Sequence, residues 1–192
     1  YRLGGVRNMR QSWQMWQSAV ASDECSNLIY QLRELPPIQA QTFNQDGEII
    51  ENKHRSSIVR WVDDQNVRDM LWWYAQEANR LAFNLDVQNV GSVQFTEYSA
   101  AQEAHYDWHH DVNWMGTAAY DRKISVVLQL SDPTSYEGGD FEFSEVESPD
   151  LNTLKTKGTI LCFPSILKHR VSPVTKGTRY SLVTWFEGPR WR

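Results

Sequence analysis

The sequence predicts an α+β protein in which two amphipathic helices precede a β-rich half of sandwich, barrel or jelly-roll type. Three observations carry this. Before residue 90, apolar residues recur at three- and four-residue intervals in two stretches. After Gly91 they gather into short runs, broken by Gly, Pro, Asp and Ser. And 192 residues, 41% hydrophobic and 22% charged, suffice for one buried core, with no internal repeat, low-complexity tract or linker to divide them. The chain therefore reads as a single domain over 1–192.

Residues 1–21 show no clear period and receive no assignment. From Ser22, a candidate cap, the residues Cys25, Leu28, Ile29, Leu32 and Leu35 fall at helical spacing, and Pro36-Pro37 ends the run. A hairpin is expected between Phe43 and Trp61, with Asp46-Gly47 as its turn. Asp63 or Asp64 then caps a second helix, whose stripe is Val67, Met70, Leu71, Tyr74, Ala78 and Leu81. Strands are expected at 92–98, 105–111, 122–131, 139–144, 158–163, 168–174 and 178–186, all rich in Val, Ile, Thr, Tyr and Phe.

Composition narrows the function classes. The net charge is −5 and the pI about 5.5, and no Lys/Arg run exceeds two residues, although both ends are locally basic (Arg2, Arg7, Arg10; Arg190, Arg192). This argues against a nucleic-acid-binding surface. No apolar stretch approaches the ~20 residues of a membrane span, and no signal-peptide pattern opens the chain, which begins at Tyr1 and reads as trimmed. Cys25 and Cys162 each lie in an apolar periodic segment without zinc-type spacing, so both read as reduced, buried thiols of a cytoplasmic protein. Nine tryptophans point to an aromatic core or an aromatic-lined cleft.

The chemistry concentrates at 105–111, which reads His-Tyr-Asp-Trp-His-His-Asp. On a strand, residues two apart share a face, so His109 and Asp111 can point into one cavity, with His110 turned away. His105 and Asp107 have the same spacing and are a rival pair. Two His and one carboxylate with open positions suit a mononuclear iron(II) oxygenase, though ligand type alone does not separate iron from zinc. His169 is the one histidine downstream of Asp111 and follows an apolar run ended by Pro164. Ten residues further on, Arg179 opens the last strand, where a buried guanidinium would pair with a dicarboxylate, and Ser181 shares its face. A His-x-Asp triplet alone is more often a surface or turn feature than a ligand pair. The conjunction with a distant His and an Arg ten residues beyond it outweighs that reading.

At these residues the chain resembles the prolyl 4-hydroxylase-like branch of the iron(II)/2-oxoglutarate-dependent dioxygenases. The likeness rests on Phe95-Thr96-Glu97-Tyr98 leading into Tyr106-x-x-His109-x-Asp111; on Leu128-Gln129-Leu130-Ser131 with Tyr136-Glu137-Gly138-Gly139-Asp140-Phe141; and on Phe163-Pro164-Ser165 through His169 to Gly177-Thr178-Arg179-Tyr180-Ser181. It spans roughly 92–187. The two helices and Arg55-Ser56-Ser57 are similar, more weakly, to the family's N-terminal support. The resemblance implies a double-stranded β-helix (jelly-roll or cupin-like) core at 92–187, supported by helices and a hairpin at 1–91. It selects His109 and Asp111 over His105 and Asp107, because Tyr106 stands three residues before His109. It implies iron(II) on His109, Asp111 and His169, with 2-oxoglutarate and O2 as cosubstrates and ascorbate as a further cofactor. Arg179 would hold the far carboxylate of 2-oxoglutarate, with Tyr98 as a hydroxyl donor and Ser181 and Gln129 as further contacts. The sequence departs from the family pattern in two places: Ser99-Ala100-Ala101 follows Tyr98 without the usual glycine, and Gln129 stands where some relatives carry an aromatic residue.

The expected reaction is hydroxylation, because Asp111 occupies the position that halogenating relatives vacate. The expected substrate is a prolyl residue in a peptide or protein, with Trp108, Trp114, Trp61 and Arg55 as candidate cleft residues. The competing substrate is a free amino acid or small metabolite. The competing class is a non-catalytic jelly-roll binding module, which has no use for His109, Asp111, His169 and Arg179 together.

Overall fold

The computed structural model describes residues 11–40, 54–89 and 91–192, together with the backbone of 42–43 and 49–50. Its strands are β1 (Gln14–Trp16), β2 (Ile38–Gln39), β3 (Thr42–Phe43), β4 (Ile49–Ile50), β5 (Arg55–Ser56), β6 (Ile58–Val62), β7 (Val93–Ser99), β8 (His105–His109), β9 (Tyr120–Gln129), β10 (Tyr136–Gly138), β11 (Phe141–Phe143), β12 (Ile160–Pro164), β13 (His169–Val171) and β14 (Val174–Pro189). They form an eight-stranded antiparallel sheet in the order β1-β12-β9-β14-β7-β6-β2, with β10 also on β14, and a four-stranded sheet in the order β11-β13-β8-β5. The two sheets make the double-stranded β-helix.

The helices α1 (Ser22–Leu32) and α2 (Gln65–Ala78) pack on the outer face of the large sheet. Asp64 caps α2, its carboxylate accepting from the N–H groups of Asn66 (2.8 Å) and Val67 (3.1 Å). For α1 the cap position falls on Ala21, which offers no side-chain acceptor, and Ser22 lies inside the helix. A third, short helix, α3 (Leu151–Lys155), is capped by Asp150. Among the described residues no helix is long and apolar enough to cross a membrane.

Alternation along β9 and β14 builds two cores from the same strands. Ile124, Val126, Leu128, Leu182 and Phe186 face the helices with Leu71, Ala75 and Ala78, while Val127 and Val183 face the space between the sheets with Phe141, Phe163 and Val171. Both faces of these strands are buried, and valines stand among the polar residues of the inner face, which is why their periodicity is faint in the sequence.

The N-terminal half differs from expectation in two respects. β1, in the stretch without a sequence period, is the edge strand beside β12, Met15 opposite Leu161. Of the expected hairpin, β3 and β4 pair, and the Asp46-Gly47 turn lies outside the described residues. β6 lies outside that hairpin and joins β7 in the large sheet, where Val59 and Val62 are buried.

Candidate metal centre and cosubstrate pocket

Two strand ends and the bend after one of them deliver three donor side chains to one point. His109 closes β8 and His169 opens β13, and the two are direct partners across the small sheet. Asp111 follows two residues after β8, beyond the strand, where its backbone N–H donates to Ser165 O at 3.1 Å. The expected strand 105–111 thus ends at His109, and a hydrogen-bonded bend rather than strand alternation brings Asp111 onto the face of His109. Asp111 Oδ1 lies 3.6 Å from His109 Nε2, and Oδ2 lies 3.6 Å from His169 Nε2. The candidate donor atoms of the three residues all fall within 4.8 Å of one another.

The surroundings fix which atoms face that point. His109 Nδ1 meets Asp107 O at 2.7 Å and His169 Nδ1 meets Leu167 O at 2.9 Å. A carbonyl only accepts, so each Nδ1 carries the proton and each Nε2 presents its lone pair. Ser125 Oγ donates to Asp111 Oδ2 at 2.6 Å and is itself 2.8 Å from Ser165 Oγ. Tyr106 stacks on His109 with centroids 3.4 Å apart, and Phe141 stacks on His169 at 5.3 Å.

Electrostatics favour the same set. Burial, only partly offset by Asp111, pushes the His169 imidazole down to about 4, so it is neutral at physiological pH. Burial also opposes charge on Asp111, but His169, the hydrogen bond and charge of His109, and the Arg122 guanidinium prevail and hold its carboxyl well below the usual range. A buried carboxylate between two imidazole Nε2 atoms is a donor set for a divalent cation.

Behind this centre, between the sheets, lies a small cavity of about 40 Å³ lined in part by Tyr98, Thr96, Val127, Phe163, Arg179 and Ser181. Arg179 is 1% exposed, and its polar partner is a neutral amide, with Nη2 donating to Gln129 Oε1 at 2.8 Å. Its Nε has no acceptor, and neither does the Ser181 hydroxyl. A buried guanidinium with free donors and a neutral partner fits an anionic ligand. Gly139, at φ 62°, keeps room for it, since a Cβ there would stand 2.9 Å from Arg179 Cδ. Tyr98 sits opposite Arg179 across β7 and β14, with the guanidinium 5.3 Å from its ring centre.

In front, a cavity of about 600 Å³ opens to solvent, lined in part by His54, Arg55, Trp61, Tyr106, His110 and Trp185. A second lobe of about 630 Å³ adjoins it and shares Asp111, Asn113 and Arg122.

The structure brings His109, Asp111, His169, Arg179, Tyr98 and Ser181 together, with Arg55 and Trp61 at the front. Gln129 lies on Arg179 rather than on the cavity wall. Trp108 points to the other face of β8, its ring under the Arg170 guanidinium at 4.7 Å, and Trp114 is 55% exposed; neither lines the described cavities. His110, expected to turn away, lines the front cavity, because the strand has ended before it. His105 and Asp107 form no such donor group, and Asp107 instead accepts from Trp108 N and orients His109 through its carbonyl. Ser125, Ser165, Arg122 and Trp185 are site residues that sequence reasoning missed. A serine in the middle of an apolar strand was the available sign for Ser125. Arg122 gave none, because a bulge at Lys123 resets the alternation and turns it inward.

Comparison with known proteins agrees with this geometry. The family model described as "2OG-Fe(II) oxygenase superfamily" matches residues 93–187. A PKHD-type hydroxylase of Crocosphaera subtropica is 31% identical over 164 residues, covering 81% of this chain and 72% of the relative. A PKHD-type hydroxylase of Synechococcus sp. is 41% identical over 86 residues, but only 38% of that relative is spanned. Among solved structures, the viral collagen prolyl hydroxylase of Paramecium Bursaria Chlorella virus-1 superposes with a TM-score of 0.66 at 17% identity, over 93% of this chain and 97% of that one. A Pseudomonas putida prolyl-4-hydroxylase gives 0.64 at 21% identity, over 94% of each chain. A Trichoplax adhaerens prolyl hydroxylase, solved with a hypoxia-inducible-factor peptide fragment, gives 0.67 at 14%, over 91% of this chain and 83% of that one. At these identities the structural likeness speaks to the fold.

Proposed function

We propose that this chain, which belongs to the 2OG-Fe(II) oxygenase superfamily, hydroxylates a prolyl residue within a peptide or protein. His109, Asp111 and His169 are its iron ligands. The single observation that carries this reading is the convergence, across one cavity, of a two-imidazole, one-carboxylate donor group and a buried arginine with free donors.

Bound iron(II), 2-oxoglutarate and O2 together supply the oxidising chemistry, in which decarboxylation to succinate and CO2 is coupled to insertion of one oxygen atom into a C–H bond. The chain's own residues bind, orient and exclude water. The carbonyls of Asp107 and Leu167 hold the tautomers that aim both Nε2 atoms. Ser125, backed by Ser165, holds one oxygen of Asp111 and keeps the carboxylate from rotating. Arg179, supported by Gln129, pairs with the far carboxylate of 2-oxoglutarate, and Ser181 and Tyr98 add hydroxyl donors. Val127, Phe141 and Phe163 wall the inner pocket against water. Two adjoining front lobes suit an extended chain running past the metal better than a small metabolite. Residues 92–187 act as the catalytic core and 1–91 as its support. Ascorbate acts as an auxiliary reductant, and two buried, unpaired cysteines suit a reducing, cytoplasmic setting.

The test is iron-dependent conversion of 2-oxoglutarate to succinate by the intact chain and by His169→Ala, followed by a search of proline-containing peptides for a mass gain of one oxygen. Conversion that needs neither iron nor His169 would refute the metal assignment.

A further inference from the structure

Arg179 is not the only guanidinium that faces a cavity without a carboxylate partner. Arg55 Nε donates to Ser57 Oγ at 3.0 Å and its Nη2 to Gln94 Oε1 at 2.9 Å, both neutral acceptors, and its guanidinium lies 4.4 Å from the centre of the Tyr106 ring. Arg122 lies 3.9 Å over the Trp185 ring, and the carboxylate its charge reaches is Asp111. Elsewhere Arg60, Arg68, Arg80 and Arg170 each meet an Asp or Glu. Trp185 adds an independent sign. It is 7% exposed and lines both the front cavity and the inner pocket, yet its buried indole N–H has no acceptor.

The front lobe thus offers fixed donors from both sheets. Among the described residues the one acid on its wall is Asp111, which the metal engages under the reading above. The adjoining lobe is different, with Asp121 and Glu187 beside Asp111 and Arg122. In a chain of net charge −5, this separation gives the front lobe a local positive field next to an acidic one. Two aromatic-backed guanidiniums and an unpaired N–H prefer an acceptor-rich anion.

We propose that the front cavity binds a carboxylate of the substrate, and that the substrate is an acidic peptide carrying an Asp or Glu beside the hydroxylated residue, on the side that meets Arg55. This rests on the oxygenase reading above. Arg55 supplies the fixed contact and Arg122 the charge at the junction of the two lobes, with the Trp185 N–H as a third donor. The acidic second lobe repels a second carboxylate, so the preference applies to one flank only.

The test uses fluorescein-labelled, proline-centred pentapeptides that differ only in Glu against Gln at each flanking position. Anisotropy is measured on the intact chain loaded with Mn(II), which needs no turnover. We expect at least about tenfold tighter binding of the Glu peptide over its Gln isostere at one flank. The ratio should shrink at high salt and collapse in Arg55→Gln and Arg122→Gln, while Arg55→Lys retains part of it; thermal melts confirm that each variant folds. Equal binding of Glu and Gln peptides, or a preference that survives both substitutions, overturns the proposal. Failure to bind any peptide while iron-dependent succinate formation persists also overturns it and leaves the oxygenase reading standing. Free proline against prolinamide forms the small-molecule arm: a carboxylate preference there and none among the peptides moves the site to a free amino acid and overturns the peptide substrate. Loss of iron-dependent succinate formation itself strikes the oxygenase reading instead.

Discussion

The two faces of the large sheet are built from the same strands and follow opposite rules. Toward α1 and α2, β9 and β14 present Ile124, Val126, Leu128, Leu182 and Phe186, a continuous apolar layer. Toward the small sheet, the same strands set four polar side chains, Ser125, Gln129, Arg179 and Ser181, among Val127 and Val183, and all four are buried. Burying apolar surface is favourable wherever it happens, so the outer face needs only shape and volume. A buried polar group is tolerated only when something satisfies it, so the inner face is costly unless a ligand completes it. The outer face holds the fold together, and the inner face spends part of that stability on a site.

The sharpest way to break this comparison is to remove one residue from each face. His169→Ala deletes a donor and leaves the fold's apolar layer intact. Metal affinity, read by calorimetry with Mn(II), should fall by more than about 100-fold, and iron-dependent succinate formation should vanish. Leu128→Ala on the outer face should cost about 2–5 kcal/mol of unfolding free energy in urea titrations while leaving metal affinity unchanged where the protein remains folded. If Leu128→Ala weakened the metal as much as His169→Ala, the two faces would not be separable.

The second effect is smaller and falls on the cosubstrate. Arg179→Leu removes the buried charge that Gln129 supports, and should raise the KM for 2-oxoglutarate by the equivalent of about 2–5 kcal/mol with little change in metal affinity. Because an uncompensated buried charge disappears with the side chain, the thermal midpoint of the ligand-free variant should hold or rise. A fall in metal affinity matching the rise in KM would show that Arg179 supports the metal centre rather than 2-oxoglutarate.

How far each face was legible in the sequence follows from what its residues answer to. The helix stripes, the capping Asp64 and most core strands could be read, because their pattern is set by burial against one neighbour. β1 could not, since three residues that send Trp16 to one core and Met15 to the other are too few to show a period. Of the site, His109, Asp111, His169 and Arg179 were visible as unusual residue types at a spacing that a family motif made specific. Ser125 and Ser165 are small, common residues whose importance lies in a contact between segments 40 positions apart. Trp108 sat in the right segment, but β8 alternation turns it outward onto Arg170. Arg122 depended on a bulge that no local pattern announces.

Ser125 also gives the third prediction. Ser125→Ala keeps the volume nearly constant and removes one hydrogen bond to Asp111 Oδ2, so Asp111 stays ionised but is held less firmly. Metal affinity should drop by about tenfold, at the low end of what outer-shell partners contribute. The variant's melting temperature in the metal-free state should move little. An unchanged metal affinity would assign the Ser125–Ser165 pair to packing alone.

The last prediction separates the faces by pH. His169 is held down to about 4 in the folded, metal-free protein, against 6.5 for an exposed imidazole. As pH falls below 6.5 the unfolded chain takes up a proton that the folded chain refuses, so stability declines from pH 6.5 to about 4 and is fully present above that window. Asp111, whose folded carboxyl is also depressed, adds a loss in the same direction, but only once pH falls below its ordinary value of 3.8. On the outer face, burial pushes the Cys25 thiol up to about 11, away from this range. The metal-free protein should therefore melt at progressively lower temperature from pH 6.5 to 4, and His169→Asn should flatten that slope. Saturating Mn(II) should steepen it at the same pH values, because the ion competes with protons for the Nε2 atoms that Asp107 and Leu167 aim inward. A slope that survives His169→Asn unchanged would move the acid sensitivity away from the inner face and remove the electrostatic half of the contrast.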